Sequence, residues 1–191
     1  MRPDELLAIL KQANNLKINT RHCYTIGDRK ESVADHSWRI ALMGMLLTGI
    51  EEYQDYDMNK VIRMCLIHDL GESFTGDIPT FLKKKDDEET EGDILNNWIN
   101  GFPEPQRTEW LELLKEMNAL ETREARLYKC LDKLEALISH NESDIKTWLP
   151  LEYDLQLTYG KDNVQFSPYM KELRAEIDKW TLQKIRDEKP E

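Results

Sequence analysis

Val61-Ile62-Arg63-Met64-Cys65-Leu66-Ile67-His68-Asp69-Leu70-Gly71-Glu72 is the stretch on which the fold of this chain turns. Its apolar residues Val61, Ile62, Met64 and Cys65 recur at helical spacing, with none of the alternation of a half-buried strand. At about 100° per residue, Glu72 follows His68 by one turn and falls on the same side of the helix as His68 and Asp69. Three polar groups ending a buried stretch need partners or a metal, because bare burial costs several kcal/mol. The next residues, Ser73-Phe74-Thr75-Gly76-Asp77-Ile78-Pro79, end the helix at a glycine and turn Asp77 back toward the same end. Two candidate ligands and two candidate acid/base carboxylates thus lie between His68 and Asp77.

The same helical period runs outward in both directions. It joins Leu6, Leu7 and Leu10, then Ile40, Met43, Leu47 and Ile50, and later Leu120, Leu127, Leu131, Leu134 and Ile138. Breakers fall between these runs, at Gly27-Asp28, Gly76 to Pro79, Gly101 to Pro105, Pro150, Gly160 and Pro168. The pattern predicts an all-α bundle of about seven helices with no significant sheet. With 191 residues and no linker composition, it reads as one domain over residues 1–191, with a core over 21–140 and a C-terminal helical extension over 151–187. The tract Lys83 to Glu89 reads as a solvated turn leading into a helix around Ile94 to Ile99.

Charge narrows the partners. Lys and Arg number 26 against 37 Asp and Glu, a net charge of −11 that repels a polynucleotide but leaves room for a small anion in a pocket whose field is locally inverted. Cys23, Cys65 and Cys130 are scattered and odd in number, which suggests neither disulfides nor a thiolate zinc site. The longest apolar run, Ala41 to Ile50, is far short of the ~20 residues of a spanning helix. The opening Met-Arg-Pro-Asp-Glu has no signal-peptide apolar region, so the expected location is the cytoplasm, away from any membrane.

Two further residues complete a ligand set. His36 opens a helix behind the capping candidates Ser32 and Asp35, and Asp132 borders the apolar stripe of Leu127, Leu131 and Leu134. Two histidines and two aspartates, His36, His68, Asp69 and Asp132, form an N/O set suited to a six-coordinate divalent ion with open water positions.

Glu31-Ser32-Val33-Ala34-Asp35-His36-Ser37, then His68-Asp69-Leu70-Gly71-Glu72-Ser73 with Thr75-Gly76-Asp77-Ile78-Pro79, then Leu131-Asp132-Lys133, resemble the signature of the HD-domain phosphohydrolases. Within them the chain is most similar to the bacterial 5'-deoxynucleotidases, over Arg21 to Ser139. The resemblance implies an HD-domain helical bundle and one divalent metal on His36, His68, Asp69 and Asp132. Manganese or cobalt is favoured, with magnesium, zinc, iron or nickel as alternatives. It also implies catalytic carboxylates at Glu72 and Asp77, a phosphate-binding Arg21, a nucleoside 5'-monophosphate substrate and a homodimer. His22 stands where those deoxynucleotidases carry a tryptophan beside the sugar, which makes it a candidate pocket residue and puts sugar preference in question.

The bare chemistry agrees. Glu72 can take a proton from a metal-activated water, Asp77 can assist the leaving oxygen, the two roles being exchangeable, and Arg21 offers a bidentate fork. The competing readings are an HD hydrolase of a triphosphate, cyclic nucleotide or alarmone, and a non-catalytic metal-binding module. Of the remaining side chains, Trp38 is expected to pack beneath the site, His140 to be an exposed helix-end residue, and Trp98, Trp110, Trp148 and Trp180 to be packing anchors.

Overall fold

The computed structural model describes residues 1–188, and of Glu88 the backbone only. Its centre is the long helix Arg123–Glu142, whose stripe Leu127, Leu131 and Leu134 is fully buried. In chain order the helices are α1 (Pro3–Ala13), α2 (Val33–Leu47), α3 (Met58–Ile67), a one-turn α4 (Glu72–Thr75), α5 (Lys85–Asn100), α6 (Gln106–Ala119), that central α7, α8 (Glu152–Thr158) and α9 (Pro168–Glu188). This is more than the seven expected, because the short α4 and α8 carry too few apolar residues for a periodic signal. Helices α2, α3, α6 and α9 all pack on α7. Where α2, α3 and α7 meet, a Cβ on Gly44 of α2 would lie 3.3 Å from Ile62 of α3 and 3.8 Å from Leu131 of α7.

One feature departs from the all-helical reading. Strands β1 (Thr20–Thr25) and β2 (Arg29–Ser32) form an antiparallel hairpin, small beside the helices but next to the site. Its loop turns through Gly27 and Asp28 at φ values of 78° and 58°, a left-handed geometry that Gly accepts freely and Asp tolerates. Cys23, Glu31 and Ser32 are its only buried residues, so no apolar alternation announced it. The register slips between Thr20 and Tyr24, as at a β-bulge. A regular strand would send Arg21 and His22 to opposite faces, whereas both line the same pocket here.

At the head of α2, Ser32 Oγ accepts from Asp35 N–H while the Asp35 carboxylate accepts from Ser32 N–H. This reciprocal cap fixes the start of the helix and so the direction of His36 four residues in. His36 is fully buried against α7. Trp38, two residues or about 200° further round, is 62% exposed, so it lies on the outer face rather than beneath the site.

Leu131→Ala would remove a fully buried side chain at this three-helix contact. The expected loss is about 2–5 kcal/mol of stability, read as a lower denaturant midpoint at unchanged slope.

Candidate metal centre and phosphate pocket

Helix α3 stops at Ile67, and His68 and Asp69 sit in the turn that follows it. The chain winds on by tight bonds from Leu70 N–H to Ile67 O, Glu72 N–H to Asp69 O and Ser73 N–H to Leu70 O, at 3.0–3.1 Å. Glu72 is therefore not one turn further along a single helix, as its spacing suggested. It is brought beside Asp69 by the fold of the turn. The outer side of that turn is held by Asn19 Nδ2 donating to Glu72 O at 2.6 Å, and by Gln12 and Asn15 donating to Ser73 O. Gly71 lets α5 come close, since a Cβ there would meet Glu91 Cγ at 2.6 Å.

The fold brings His36, His68, Asp69 and Asp132 together from α2, the α3–α4 turn and α7. His68 Nε2 lies 2.9 Å from Asp69 Oδ2 and 3.8 Å from Asp132 Oδ1. His36 Nε2 lies 3.3 Å from Asp132 Oδ1 and 3.9 Å from Asp69 Oδ2. Neighbouring ligands at right angles around an ion with bonds of about 2.1–2.2 Å stand about 3 Å apart, so these separations are those of donors facing one centre. Both Nε2 atoms are buried without a hydrogen-bond partner, a costly state that a cation removes. The donor set fits a divalent metal.

The far nitrogen of each ring is occupied. His36 Nδ1 donates to the Glu135 carboxylate, and His68 Nδ1 meets Cys65 O at 3.0 Å. With Nδ1 so engaged, each Nε2 presents its lone pair to the centre. Glu135 is fully buried and also accepts from Arg39 Nε at 2.6 Å and Ser139 Oγ at 2.9 Å. Burial pushes its pKa up, but His36, Arg21 and Arg39 outweigh that and hold it at about 2. The sequence reading missed Glu135, although a carboxylate three residues past Asp132 on a buried stripe carries the signal.

Asp69 and Asp132 border a pocket that is also lined by Arg21, Glu72 and Asp77. Arg21 is held by Glu31, Nε to Oε2 3.2 Å, and its Nη1 is 3.8 Å from Asp69 Oδ2. Burial and the carboxylates of Asp69, Asp77 and Glu91 push Glu72 up to about 10, with Lys83 opposing. Asp77 is raised by burial as well, against the pull of Arg21. Lys83, placed by its tract in a solvated turn, instead lines the pocket, with Nζ 2.7 Å from Glu91 and 3.8 Å from Glu72. Lys129 Nζ donates to Asp132 Oδ2 at 2.9 Å.

The opposite end of the pocket is closed by α8. Glu152 stands between two imidazoles, 3.3 Å from His22 Nε2 and 3.3 Å from His140 Nε2. His140 is buried against Trp148, with ring centroids 4.8 Å apart, and is not the exposed helix-end residue that its position suggested. The family model described as HD domain matches residues 13–174, a span that includes every residue of the pocket.

The chain belongs to the HD-domain family.

A 5'-deoxynucleotidase of Dictyostelium discoideum is 35% identical over 59% of this HD-domain chain and 62% of its own length, so the chain spans somewhat less than two thirds of that relative. The human 5'-deoxynucleotidase is 31% identical over 72% of this chain and 67% of its own. A crystal structure from Magnetospirillum magnetotacticum, described as a predicted metal-dependent phosphohydrolase, superposes with a TM-score of 0.78 at 28% identity, covering 97% of this chain and 93% of that one. A divalent metal is implied for this HD domain, in keeping with donor atoms of His36, His68 and Asp69 that all lie within 4.8 Å of one another. No helix among the described residues is long and apolar enough to cross a membrane.

Glu135→Gln keeps the size of the side chain and removes the charge that holds His36. Manganese affinity measured by calorimetry is expected to fall about 10–100-fold. An unchanged affinity would show that His36 needs no such support.

Proposed function

We propose that this HD domain is a metal-dependent phosphohydrolase that removes the 5'-phosphate from (deoxy)nucleoside monophosphates. The observation that carries the reading is the pair of orphaned imidazole nitrogens facing two carboxylates, with Arg21 at the edge of the same pocket. The deoxynucleotidase relatives support the substrate class. A small nucleotide is then the partner, and a homodimer in the cytoplasm is the expected setting.

His36, His68, Asp69 and Asp132 would hold the ion, manganese or cobalt being favoured. When bound, it supplies a polarised phosphoryl oxygen and an acidified water near neutral pH. Arg21 holds the phosphate through its planar fork, already oriented by Glu31. Glu72, raised by burial and its carboxylate neighbours, would be ionised where a bound cation adds to the Lys83 ammonium 3.8 Å away, and could then orient the attacking water and take its proton at a carboxylate oxygen. Asp77, on the loop after α4, has its pKa raised by burial against the pull of Arg21, the direction that suits a donor of a proton to the leaving 5'-oxygen. Of the pocket lysines, Lys83 is paired with Glu91 and Lys129 with Asp132, whereas Lys133 donates to the Tyr159 hydroxyl and lies 4.0 Å from Asp132. The single planar fork of Arg21, oriented through Nε by Glu31, suits one terminal phosphate. His22, smaller than a tryptophan, leaves room for a ribose 2'-hydroxyl, so discrimination against ribonucleotides is expected to be weak.

The test is phosphate release from nucleoside mono-, di- and triphosphates with manganese, cobalt, magnesium and zinc added separately to chelator-treated protein. Monophosphates should be turned over best, paired substrates such as dAMP and AMP should differ little, and chelation should abolish activity. A clear preference for triphosphates would refute the assignment.

Substitutions separate the roles. Asp69→Ala should lose the metal, whereas Glu72→Ala should keep it and lose turnover. Arg21→Lys keeps the charge but not the fork, and should lower kcat/KM by about 10–150-fold, the equivalent of ~1.5–3 kcal/mol. Equal metal loss in the Asp69 and Glu72 variants, or full activity in the Arg21 variant, would break this division of labour.

A further inference from the structure

Glu152 is a buried carboxylate at the end of the pocket away from the candidate metal ligands, and the phosphate chemistry makes no use of it. Its Oε1 lies 3.3 Å from His22 Nε2 and its Oε2 lies 3.3 Å from His140 Nε2. Both ring nitrogens are buried without a hydrogen bond of good geometry. Leu149 N–H donates to Oε2 at 2.6 Å, which leaves Oε1 on the His22 side. Burial pushes the Glu152 pKa up, but His140, the Leu149 N–H and His22 outweigh it and lower it, so the group stays an ionised acceptor at neutral pH.

Docking of α8 does not need this charge. Gln156 Nε2 donates to Leu137 O at 2.7 Å, Arg174 Nη2 donates to Gln156 O at 3.0 Å, and Arg174 Nη1 donates to Tyr159 O. A carboxylate kept buried at a desolvation cost, on a helix already fastened by neutral carbonyls, asks for another role.

Its position relative to Arg21 supplies one. His22 follows Arg21 in β1, and the bulge there turns both into one pocket. A nucleotide whose phosphate meets Arg21 lays its next group, the sugar, beside His22 and Glu152. The sugar carries hydroxyl donors, and an ionised carboxylate only accepts.

We propose that Glu152, positioned by His22 and His140, is a specificity-determining residue that accepts a hydrogen bond from a sugar hydroxyl of the substrate. This rests on the nucleotidase reading above. The pairing favours substrates with that hydroxyl free, because a buried carboxylate left without its donor is penalised as well as unrewarded. The same negative charge repels a second phosphate carried on the sugar.

The experiment compares wild type and Glu152→Gln, both loaded with manganese, on AMP, dAMP, 2',3'-dideoxyadenosine 5'-monophosphate and the sugarless p-nitrophenyl phosphate. The glutamine keeps an oxygen for Leu149 N–H and loses the charge. KM for substrates with the contacted hydroxyl should rise about tenfold more than KM for p-nitrophenyl phosphate, with kcat less affected. A loss shared by AMP and dAMP but not by the dideoxy compound assigns the 3'-hydroxyl, and a loss confined to AMP assigns the 2'-hydroxyl. A purely structural role predicts equal loss on all four together with a lower melting temperature, and that result, or unchanged ratios, overturns the inference alone. Wild type that hydrolyses p-nitrophenyl phosphate but none of the nucleotides overturns the nucleotidase reading, and this inference with it.

Discussion

Across the contact between α2 and α7, His36 Nδ1 faces the Glu135 carboxylate, and both side chains are wholly out of water. The arrangement of the pocket follows from this contact. With Nδ1 at Glu135, the ring turns Nε2 toward Asp69 and Asp132, and the imidazole is tied to the most buried part of the core. The contact also ramifies. Ser139 Oγ lies 2.6 Å from Glu31 and 2.9 Å from Glu135, its one proton serving either carboxylate, and Glu31 holds Arg21, so Arg21 and His36 rest on one buried polar network. Such a network is costly unless all its members are paired, and here the cost is offset by fixing groups that come from the hairpin, α2 and α7.

Electrostatics divide the pocket into two ends. The metal end gathers more carboxylates than the neighbouring cations neutralise, which drives Glu72 up and leaves two imidazole nitrogens without partners. A divalent ion restores the balance there. At the far end, Glu152 is kept ionised by imidazoles and a backbone donor, and α8 closes the cavity over it. Under the proposed function, an acidic protein could accept an anionic substrate because Arg21, Lys83, Lys129 and Lys133 gather positive charge in the pocket.

The helices and the local parts of the site were legible in the sequence because their physics is local. Buried helices repeat their apolar residues every three or four positions, which fixed α2, α3 and α7. His68, Asp69, Glu72 and Asp77 stand within ten residues of one another, so a local turn suffices to bring them together. His36 and Asp132 were legible as polar residues at the edges of apolar stripes, and the HD resemblance joined them to the pair.

Tertiary structure decided what depends on residues distant in the chain. The hairpin from Thr20 to Ser32 has little apolar alternation, so its bulge, which turns Arg21 and His22 into one pocket, existed only once the strands were docked. Trp38 went outward because His36 went in. Lys83 was drawn from its charged tract by Glu91, and His140 was buried by Trp148 and Glu152, partners that no spacing rule connects to them. The sequence by itself determined which groups this protein could bring to a metal and a phosphate. Only the packing of α2 on α7, of α5 on α4 and of α8 on α9 decided which charges neutralise which, because the energy of a buried charge depends on its neighbours in space and not on its neighbours in the chain.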